Sequence, residues 1–352
     1  MSVQQPVTLG ARDLIASALS LRHLDNLTGR HGIFEHARHS VIRPEHGLCT
    51  DDNARLAVLI ARLGGVGRTS MHGVERLRDV SARFVLDALA DDGRVHNRRH
   101  ASGRWLDEPH IGDNWGRAVH ALGVIASSDD NHAALALDRF NRSASHRTLH
   151  LRSMCHASLG AAALLERIPG HSVALDLLAD TADLIWSASA SAEWPWPEPR
   201  LTYANAVIPE ALIAAAAALG RSDELVDALA MLRWLVGIET EPGHLSPTPV
   251  VGRALGDTSP GFDQQPIEVA AIASAAARAM QHHADPLWDE VLRRSVGWFL
   301  GENDRGSPMI DGRTGGGYDG LTVDGVNLNQ GAESTIAMLE TLVVAARGAT
   351  GR

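Results

Sequence analysis

The chain has 352 residues and a formal net charge of −10, with 45% hydrophobic and 21% charged residues. This composition is that of an ordinary globular protein, and the length allows a large core. The acidic balance and the lack of lysine and arginine runs argue against a nucleic-acid partner, because few cations would neutralise phosphates.

Neither the cysteines nor the N-terminal sequence indicates secretion or membrane insertion. Cys49 and Cys155 provide no disulfide framework and suit a reducing compartment. The first residues, MSVQQPVTLGARDL, lack the basic and apolar regions of a signal peptide, and no apolar run could span a bilayer. We therefore expect a cytoplasmic protein with no membrane partner.

Helical periodicity dominates the chain, and the alternation typical of β-strands is scarce. It predicts about twelve helices, at residues 11–27, 50–64, 74–91, 113–127, 131–144, 151–167, 172–190, 204–219, 222–238, 264–281, 286–301 and 328–347. No linker or composition shift divides them, so we expect one domain over residues 1–352.

The predicted helices differ by parity. Odd members are amphipathic, whereas even members open with a polar cluster and continue in small apolar residues, as in DDNAR, GDNWGR and FDQQPIE. Such an outer and inner alternation predicts an all-α (α/α)6 toroid, in which six inner helix N-termini gather at one mouth. A superhelical repeat array and a large bundle are the alternatives, but the polar openings are unequally spaced and chemically different.

The segments that lead into the even helices are mostly long, at residues 28–49, 92–112, 191–203, 239–263 and 302–328. Long loops at one end of a scaffold place its function there. The residues they bring to the mouth are carboxylates, amides and aromatics, a mixture that suits an oligosaccharide substrate. Aromatic faces stack on sugar rings, amides and carboxylates bond hydroxyls, and two acids cleave the glycosidic bond.

Asp52 and Asp113 are the first choice for the two acids, because they open the second and fourth helices. Facing helix N-termini suit the wider carboxylate gap of an inverting glycosidase, about 6.5–9.5 Å against about 5–5.5 Å in a retaining one. Glu198 and Asp263 are substitutes for either acid. Asp51 and Asp52 lie where a helix N-cap belongs, so capping is the competing interpretation for both, and also for Asp263.

The predicted substrate-binding residues are polar or aromatic side chains of the same polar openings and loops. They are His36, His46, Asp51, Asn53, Arg55, Trp115, Trp194, Trp196, Arg200, Tyr203, Asn205, Gln264, Gln265, Tyr318, Asp319, Asn329, Gln330 and Glu333. The segment WPWPEPR is the most specific aromatic stretch, since its prolines stiffen a loop that carries two tryptophans. It predicts a platform for a sugar ring, with anchoring of the loop to the core as the alternative.

No motif for a metal or cofactor is present. The histidines between His31 and His46 lie near Cys49 but lack zinc-site spacing, and the glycines of TGGGYDG lack the lysine of a phosphate loop. We expect no metal and no cofactor.

Five stretches together carry a family resemblance: GIFEHARHSVIRPEHGLCTDDNARL, GRAVHALG, WPWPEPRLTYANAVIPEAL, FDQQPIEVAA and GGGYDGLTVDGVNLNQGAEST. They resemble a bacterial family of (α/α)6-toroid proteins that occurs alone or appended to glycosyltransferases, and is often labelled glycosyltransferase for that reason. The resemblance implies a fold related to six-hairpin glycoside hydrolases and sugar epimerases, with a functional link to a glycosyltransferase. No nucleotide-sugar site accompanies the domain, so it does not imply transferase activity.

By that resemblance the motif residues are Asp51, Asp52, Asn53, Arg55, Glu198, Arg200, Asn205, Glu210, Asp263, Gln264, Gln265, Asp319, Asn329, Gln330 and Glu333. Two positions depart from the family pattern. Gly112 stands where an acid is expected and Ala204 where an aspartate is expected. Each departure removes a carboxylate from the mouth.

Three functions follow from these residues. The leading hypothesis is a glycoside hydrolase acting on an oligosaccharide, with manno-configured sugars among the candidates, through two carboxylates and water. The second is a sugar epimerase or isomerase, for which His36, His46, His156 and His244 offer proton-shuttling bases. The third is a non-catalytic sugar-binding partner of a glycosyltransferase, which would keep the tryptophans and amides but consume no substrate.

Overall fold

The computed structural model describes residues 19–64, 71–129, 131–188, 191, 193–257 and 261–348. Within them lie twelve α-helices: α1 (Arg22–Leu27), α2 (Thr50–Arg62), α3 (Met71–Ala88), α4 (Asp113–Ala126), α5 (Ala133–Ser143), α6 (Leu151–Arg167), α7 (Ser172–Trp186), α8 (Val207–Leu219), α9 (Ser222–Glu239), α10 (Pro266–His282), α11 (Pro286–Leu300) and α12 (Ala332–Gly348). Residues 11–18 of the first predicted helix and 189–190 of the seventh lie outside the described residues. No helix in the described ranges is long and apolar enough to cross a bilayer.

The six even helices form a closed inner ring. Each packs against the next, from α2 through α4, α6, α8 and α10 to α12, and α12 packs back against α2. The odd helices cover this ring: α3, α5, α7, α9 and α11 lie on α2, α4, α6, α8 and α10, while α1 lies on α12. The sequence-based prediction of an (α/α)6 toroid is confirmed.

The inner helices are buried on nearly all sides, as their composition predicts. Every residue of α8 from Val207 to Ala216 is buried. Because α4 and α6 meet at glycines, their backbones touch. A Cβ added to Gly123 would lie 2.0 Å from the carbonyl oxygen of Gly160, and one added to Gly160 would lie 2.4 Å from that of Val119. This close approach draws the side chains of the two helices together inside the ring.

Ten strands of two or three residues form five antiparallel pairs in the described residues: β1 (Thr28–Gly29) with β2 (Gly32–Ile33), β3 (Ala37–Arg38) with β4 (Val41–Ile42), β5 (Leu48–Cys49) with β6 (Arg98–Arg99), β7 (Ile310–Asp311) with β8 (Gly316–Gly317), and β9 (Gly320–Thr322) with β10 (Gly325–Asn327). Most of these strands lie in segments that lead into inner helices. The β5–β6 pair joins the segment before α2 to the segment before α4, with Cys49 opposite Arg98. The strands therefore tie together the loops at the mouth, the end of the ring where the inner helices begin.

Several inner helices start later than the sequence predicts. α8 begins at Val207 and not at residue 204, α10 at Pro266 and not at 264, and α12 at Ala332 and not at 328. The polar residues just before these starts make loop contacts instead: Gln264 pairs with Leu321 in a β-bridge, and Asn329 accepts a hydrogen bond from the N–H of His39 at 2.9 Å. These polar openings therefore belong to the loops of the mouth.

Candidate functional site at the mouth of the toroid

The first turn of α2 carries two adjacent acids, Asp51 and Asp52, neither of which is the N-cap residue. The N-cap residue is Cys49, so the prediction that Asp51 and Asp52 occupy the N-cap position is wrong. Each carboxylate pairs with an arginine: Asp52 with Arg55 at 2.6 Å and Asp51 with Nε of Arg117 at 3.4 Å. The two acids therefore belong to a network of ion pairs and do not cap the helix.

Asp52 is the more deeply placed of the two acids. It is 2% exposed, accepts a hydrogen bond from the thiol of Cys49 at 3.2 Å and binds Nη1 of Arg55. Burial raises the pKa of Asp52 to about 6, an effect that the charge of Arg55 opposes and that of Glu333 reinforces. Both oxygens of Asp52 are therefore engaged by protein groups.

Arg55 and Arg117 stand side by side among these carboxylates. Arg55 binds Oε2 of Glu333 at 2.7 Å as well as Asp52. Burial and the neighbouring Arg55 lower the pKa of Arg117, while the charges of Asp51, Glu333 and Asp113 act in the opposite sense. Since Asp113 opens α4 and Glu333 lies in the first turn of α12, the network joins three inner helices.

Asp113 is the first residue of α4, after the N-cap residue Gly112, and it also serves no capping role in that position. Its carboxylate accepts hydrogen bonds from the hydroxyl of Ser153 at 2.8 Å and from the phenol of Tyr203. Burial and this hydrogen bond to Asp113 raise the pKa of Tyr203. Two O–H donors therefore point at one carboxylate at the rim of the ring.

Glu198, predicted as a substitute catalytic acid, is instead a structural anchor. Both of its oxygens bind Arg152, at 2.7 and 2.8 Å. Arg152 also donates to Asn205 at 3.3 Å and lies 4.9 Å from the ring centre of Tyr203. A carboxylate held by two parallel bonds to a buried guanidinium has a fixed orientation and ties its loop to α6.

The turn before α8 is held by a buried glutamate. Glu268 accepts hydrogen bonds from the backbone N–H groups of Ala204 and Asn205, and burial raises its pKa to about 8. Ala204 has a φ of 45°, a left-handed conformation that non-glycine residues adopt at a cost. Glu268 thus fixes the backbone that presents Tyr203 to Asp113.

Below these residues lies the central cavity, a space of about 70 Å³ between the six inner helices. Its polar lining consists of Arg55, Arg62, Arg117, His120, His156, Glu210, Ser274, Glu333 and Glu340. The rings of His120 and His156 stack with centres 6.3 Å apart, and burial lowers the pKa of both imidazoles well below the usual value. The buried Nε2 of His156 has no hydrogen-bond partner among the residues that the structure describes.

His120 is not among the site residues that the sequence predicts. Its position in the helix could have indicated it. His120 follows Arg117 by three residues, and Arg117 follows Asp113 by four, so all three lie on the same face of α4. Of the four histidines considered as proton-shuttling bases, the structure brings His156 to the cavity. His36 and His46 meet each other instead, with ring centres 5.1 Å apart, and His244 binds Asp304 at 3.0 Å.

The prediction that Trp115 and Trp196 bind substrate is wrong, and of these two Trp196 belongs to the predicted aromatic platform. Trp115 and Trp196 are fully buried, so no sugar ring can reach their faces. Trp115 donates to the carbonyl oxygen of Ser143 at 3.1 Å, and Trp196 stacks on Trp234. Trp194 is half-buried, meets the same Trp234 edge to face and donates to the carbonyl oxygen of Glu198 at 2.7 Å. The contacts of both loop tryptophans therefore favour the alternative interpretation, loop anchoring, for this stretch.

Four predicted substrate-binding amides are buried as well. Asn53 bonds the backbone of Ile33 and Cys49, and Gln264 bonds Asp304 at 2.6 Å. Asn205 bonds Thr202, Arg152 and Glu268, and Gln330 bonds Asp311 and Thr314. Because these amides are satisfied by protein groups, they hold the loops of the mouth and do not face a substrate.

The remaining predicted residues lie on the loops or at helix starts. Asp263 is exposed and is not a helix cap, since Gln265 is the N-cap residue of α10. Arg200 is exposed and donates to the carbonyl oxygen of Val251 at 3.2 Å. Asp319 accepts from the N–H of Gly331 at 2.7 Å and from Ser334, which secures the start of α12, and Tyr318 is half-buried beside it.

Three side chains at the mouth lie close enough together to be considered as metal ligands. Glu35, Cys49 and Asp52 each place one oxygen or sulfur atom within 4.8 Å of the others. Burial raises the pKa of Cys49 well above its usual value, which keeps it a thiol that donates to Asp52. Glu35 is already paired with Arg98 at 2.6 Å. The expectation of no metal and no cofactor stays a prediction.

No family model matches the chain, and no curated protein matches it in sequence. Solved structures do match it in fold. A sugar epimerase from a ruminal bacterium aligns with a TM-score of 0.72 at 14% identity, covering 96% of this chain and 99% of that one. Cellobiose 2-epimerase from Bacillus thermoamylovorans aligns with a TM-score of 0.71 at 10% identity, covering 96% and 98%. The chain has the fold of these enzymes.

An α-1,6-mannanase from Salegentibacter sp. shares the same fold, with a TM-score of 0.63 at 12% identity, covering 95% of this chain and 99% of that one. That structure holds α-1,6-mannotriose and is of an inactive variant in which two adjacent aspartates are replaced by asparagine. The toroid is thus shared by structures of sugar epimerases and of a glycosidase.

Proposed function

We propose that the chain is a glycoside hydrolase that cleaves an oligosaccharide at the mouth of the toroid. One observation carries the proposal: acids at the starts of α2 and α4 face one arginine, Arg117, and do not cap their helices. Two carboxylates on facing helices are the arrangement that glycoside hydrolysis needs. The adjacent aspartates of the mannanase variant support it, because Asp51 and Asp52 are also adjacent.

Asp113 and Asp51 are the pair that we assign to the reaction. Asp113 accepts hydrogen bonds from two O–H donors that fix its orientation at the mouth, and we assign it the role of a general base that orients water. Asp51 reaches the mouth with 19% of its side chain exposed, whereas Asp52 is 2% exposed and pairs with Arg55. We therefore revise the pair predicted from sequence and assign Asp52 to positioning Arg55.

The test is a panel of defined oligosaccharides, including α-1,6-mannotriose, with products identified by mass spectrometry and their anomers by NMR. Asp51→Asn and Asp113→Asn should each lower kcat by about 10²–10⁴-fold while sugar binding persists. The matched control is Asp129→Asn, because Asp129 is an exposed aspartate just beyond the opposite end of α4. Full activity in both variants would exclude this pair, and binding without any cleavage would favour the sugar-binding module linked to a glycosyltransferase.

A sugar epimerase is the second candidate, and the stacked imidazoles of His120 and His156 favour it. Burial holds both rings neutral, as a proton-accepting base requires, and Nε2 of His156 is unpaired at the cavity. This activity would exchange the C2 proton of a reducing sugar in heavy water. His156→Asn should abolish that exchange, and His282→Asn, at the exposed end of α10, should not. An absence of exchange on every sugar of the panel would remove this candidate.

A further inference from the structure

The central cavity ends in a layer of polar side chains, four of them charged, which we call the floor: Arg62, Ser274, Glu340, Glu210 and Arg278. Arg62 forms an ion pair with Glu340, and Ser274 lies 3.2 Å from both. Glu210 pairs with Arg278 at 3.3 Å. These residues come from α2, α8, α10 and α12, so the floor is tied across the ring.

A second and larger cavity, of about 1030 Å³, lies beyond the floor at the end of the ring where the inner helices finish. Four polar residues line both cavities: Arg62, His120, Glu210 and Ser274. The partition between the two spaces is therefore about one side chain thick. The ring is open at both ends but is divided in the middle by ion pairs.

The depth of the central cavity follows from helix geometry. Arg55 and Glu333 pair at its rim, and Arg62 and Glu340 pair at its floor. Each floor residue lies seven positions after the rim residue on the same helix, which places the two ion pairs about 10 Å apart along the axis. Val58 lines the wall between them. A cavity of about 70 Å³ has room for roughly five water molecules, so it admits no more than one sugar ring.

We infer, on the basis of the proposed hydrolase function, that this site accepts a single terminal sugar residue and that the enzyme acts at chain ends. A saccharide chain that continued inward would have to separate the ion pairs of the floor and leave their charges unpaired. The sugar residue that enters the cavity is therefore the last residue of its saccharide chain. The rest of the oligosaccharide lies outward, over the loops of the mouth.

The inference is tested by binding, with the Asp113→Asn variant as the receptor and α-1,6-mannotriose as the first probe. The trisaccharide is prepared free, capped at the reducing end with an aromatic amide, capped at the other end with a benzylidene group, and capped at both ends. At least one singly capped ligand should bind within threefold of the free trisaccharide by calorimetry. The doubly capped ligand should bind at least 30-fold more weakly.

Equal binding of the doubly capped ligand would overturn the inference. If mannotriose does not bind, the same four ligands are made from the first trisaccharide of the panel that does. Internal cleavage of a longer oligosaccharide by the wild-type enzyme would overturn chain-end action and leave the hydrolase function intact. Binding that depends on a free chain end, without any hydrolysis, would overturn the hydrolase function and leave the single-residue site intact. If no saccharide binds, both proposals fail.

A floor variant gives an independent test. Replacing both partners, Arg62→Ala with Glu340→Ala, removes the pair without leaving one charge unpaired. The terminal ring then loses the wall it rests against, and affinity for the free trisaccharide should fall at least tenfold. The matched control removes Asp138 and Arg142, an exposed pair on α5 at 3.1 Å, and should leave affinity unchanged. Unchanged affinity in a folded floor variant, judged by circular dichroism, would overturn the inference.

Discussion

The phenol of Tyr203 donates a hydrogen bond to the carboxylate of Asp113, across 90 positions of the sequence. This contact joins the loop before α8 to the first residue of α4. It depends on a turn that Glu268 holds and on a guanidinium, Arg152, that packs on the tyrosine ring. The geometry of the assigned base is thus set by residues from four different segments.

The first prediction concerns the ionisation of Tyr203. The chain has two tyrosines, and burial raises the pKa of both Tyr203 and Tyr318. For Tyr203 the hydrogen bond and charge of Asp113 raise the pKa further, so Asp113→Asn should lower it while burial keeps it above the usual value. The tyrosinate absorbance, followed as pH rises in a Tyr318→Phe background, reports Tyr203 alone. An identical midpoint with and without Asp113 would contradict the hydrogen bond.

A second prediction follows from the buried carboxyl of Asp52. Its pKa is about 6 in the folded protein against 3.8 for an ordinary aspartate, so the folded state holds its proton to higher pH. Between these values the native state binds more protons than the unfolded state, and stability falls as pH rises. Relative to Asp52→Asn, the wild type should lose about 3 kcal/mol of unfolding free energy between pH 3.5 and pH 7. Urea unfolding at a series of pH values measures this, and parallel curves for the two proteins would refute it.

The left-handed conformation of Ala204 gives a third prediction, with a matched control two residues away. Ala204→Gly relieves a backbone cost of roughly 1–2 kcal/mol but loses a buried methyl group and increases unfolded-state entropy. Ala206, with a φ of −65°, has no such cost to relieve. Ala206→Gly should therefore destabilise the protein by about 1 kcal/mol more than Ala204→Gly. Equal losses in denaturant unfolding would show that the Ala204 turn is not strained.

The glycine contact between α4 and α6 supports a fourth prediction. Gly123→Ala would place a methyl group 2.0 Å from a carbonyl oxygen of α6, so the helices must separate. We expect a loss of about 3 kcal/mol in unfolding free energy. In the outer helix α9, Gly237 has no atom within 4 Å of an added Cβ, and Gly237→Ala should stabilise the protein by about 0.5–1 kcal/mol. A small effect of Gly123→Ala would mean that the two inner helices are not in backbone contact.

The toroid could be predicted because its signal is local. Periodicity and the alternation of polar and small-residue helix openings occur within single segments, and α6 spans the same residues, 151–167, in prediction and structure. The start of α8 was misplaced because Ala204 and Asn205 are held outside the helix by Glu268, about 60 positions later. Local propensity contains no information on such a partner.

The candidate site was harder to predict for the same reason. Polar side chains near a mouth look alike in sequence, whether they face a substrate or bond the protein. Gln264 is buried because Asp304, 40 positions away, satisfies its amide, and Trp196 is buried because Trp234 covers it. Conversely, no local pattern in α4 distinguishes His120, and only the closed ring shows that it lines the cavity.

The packing of α12 against α2 has a consequence for synthesis of the protein on the ribosome. Of the six described inner helices, α12 comes last in chain order, so the wall of the cavity that contains Glu333 and Glu340 is missing until α12 packs into the ring. Until then Arg55 and Arg62 lack their carboxylate partners, and the apolar faces of α2 and α10 that α12 covers stay open to solvent. A nascent chain that has not yet reached α12 therefore has an incomplete toroid, and the site forms only once α12 has packed against α2 and α10.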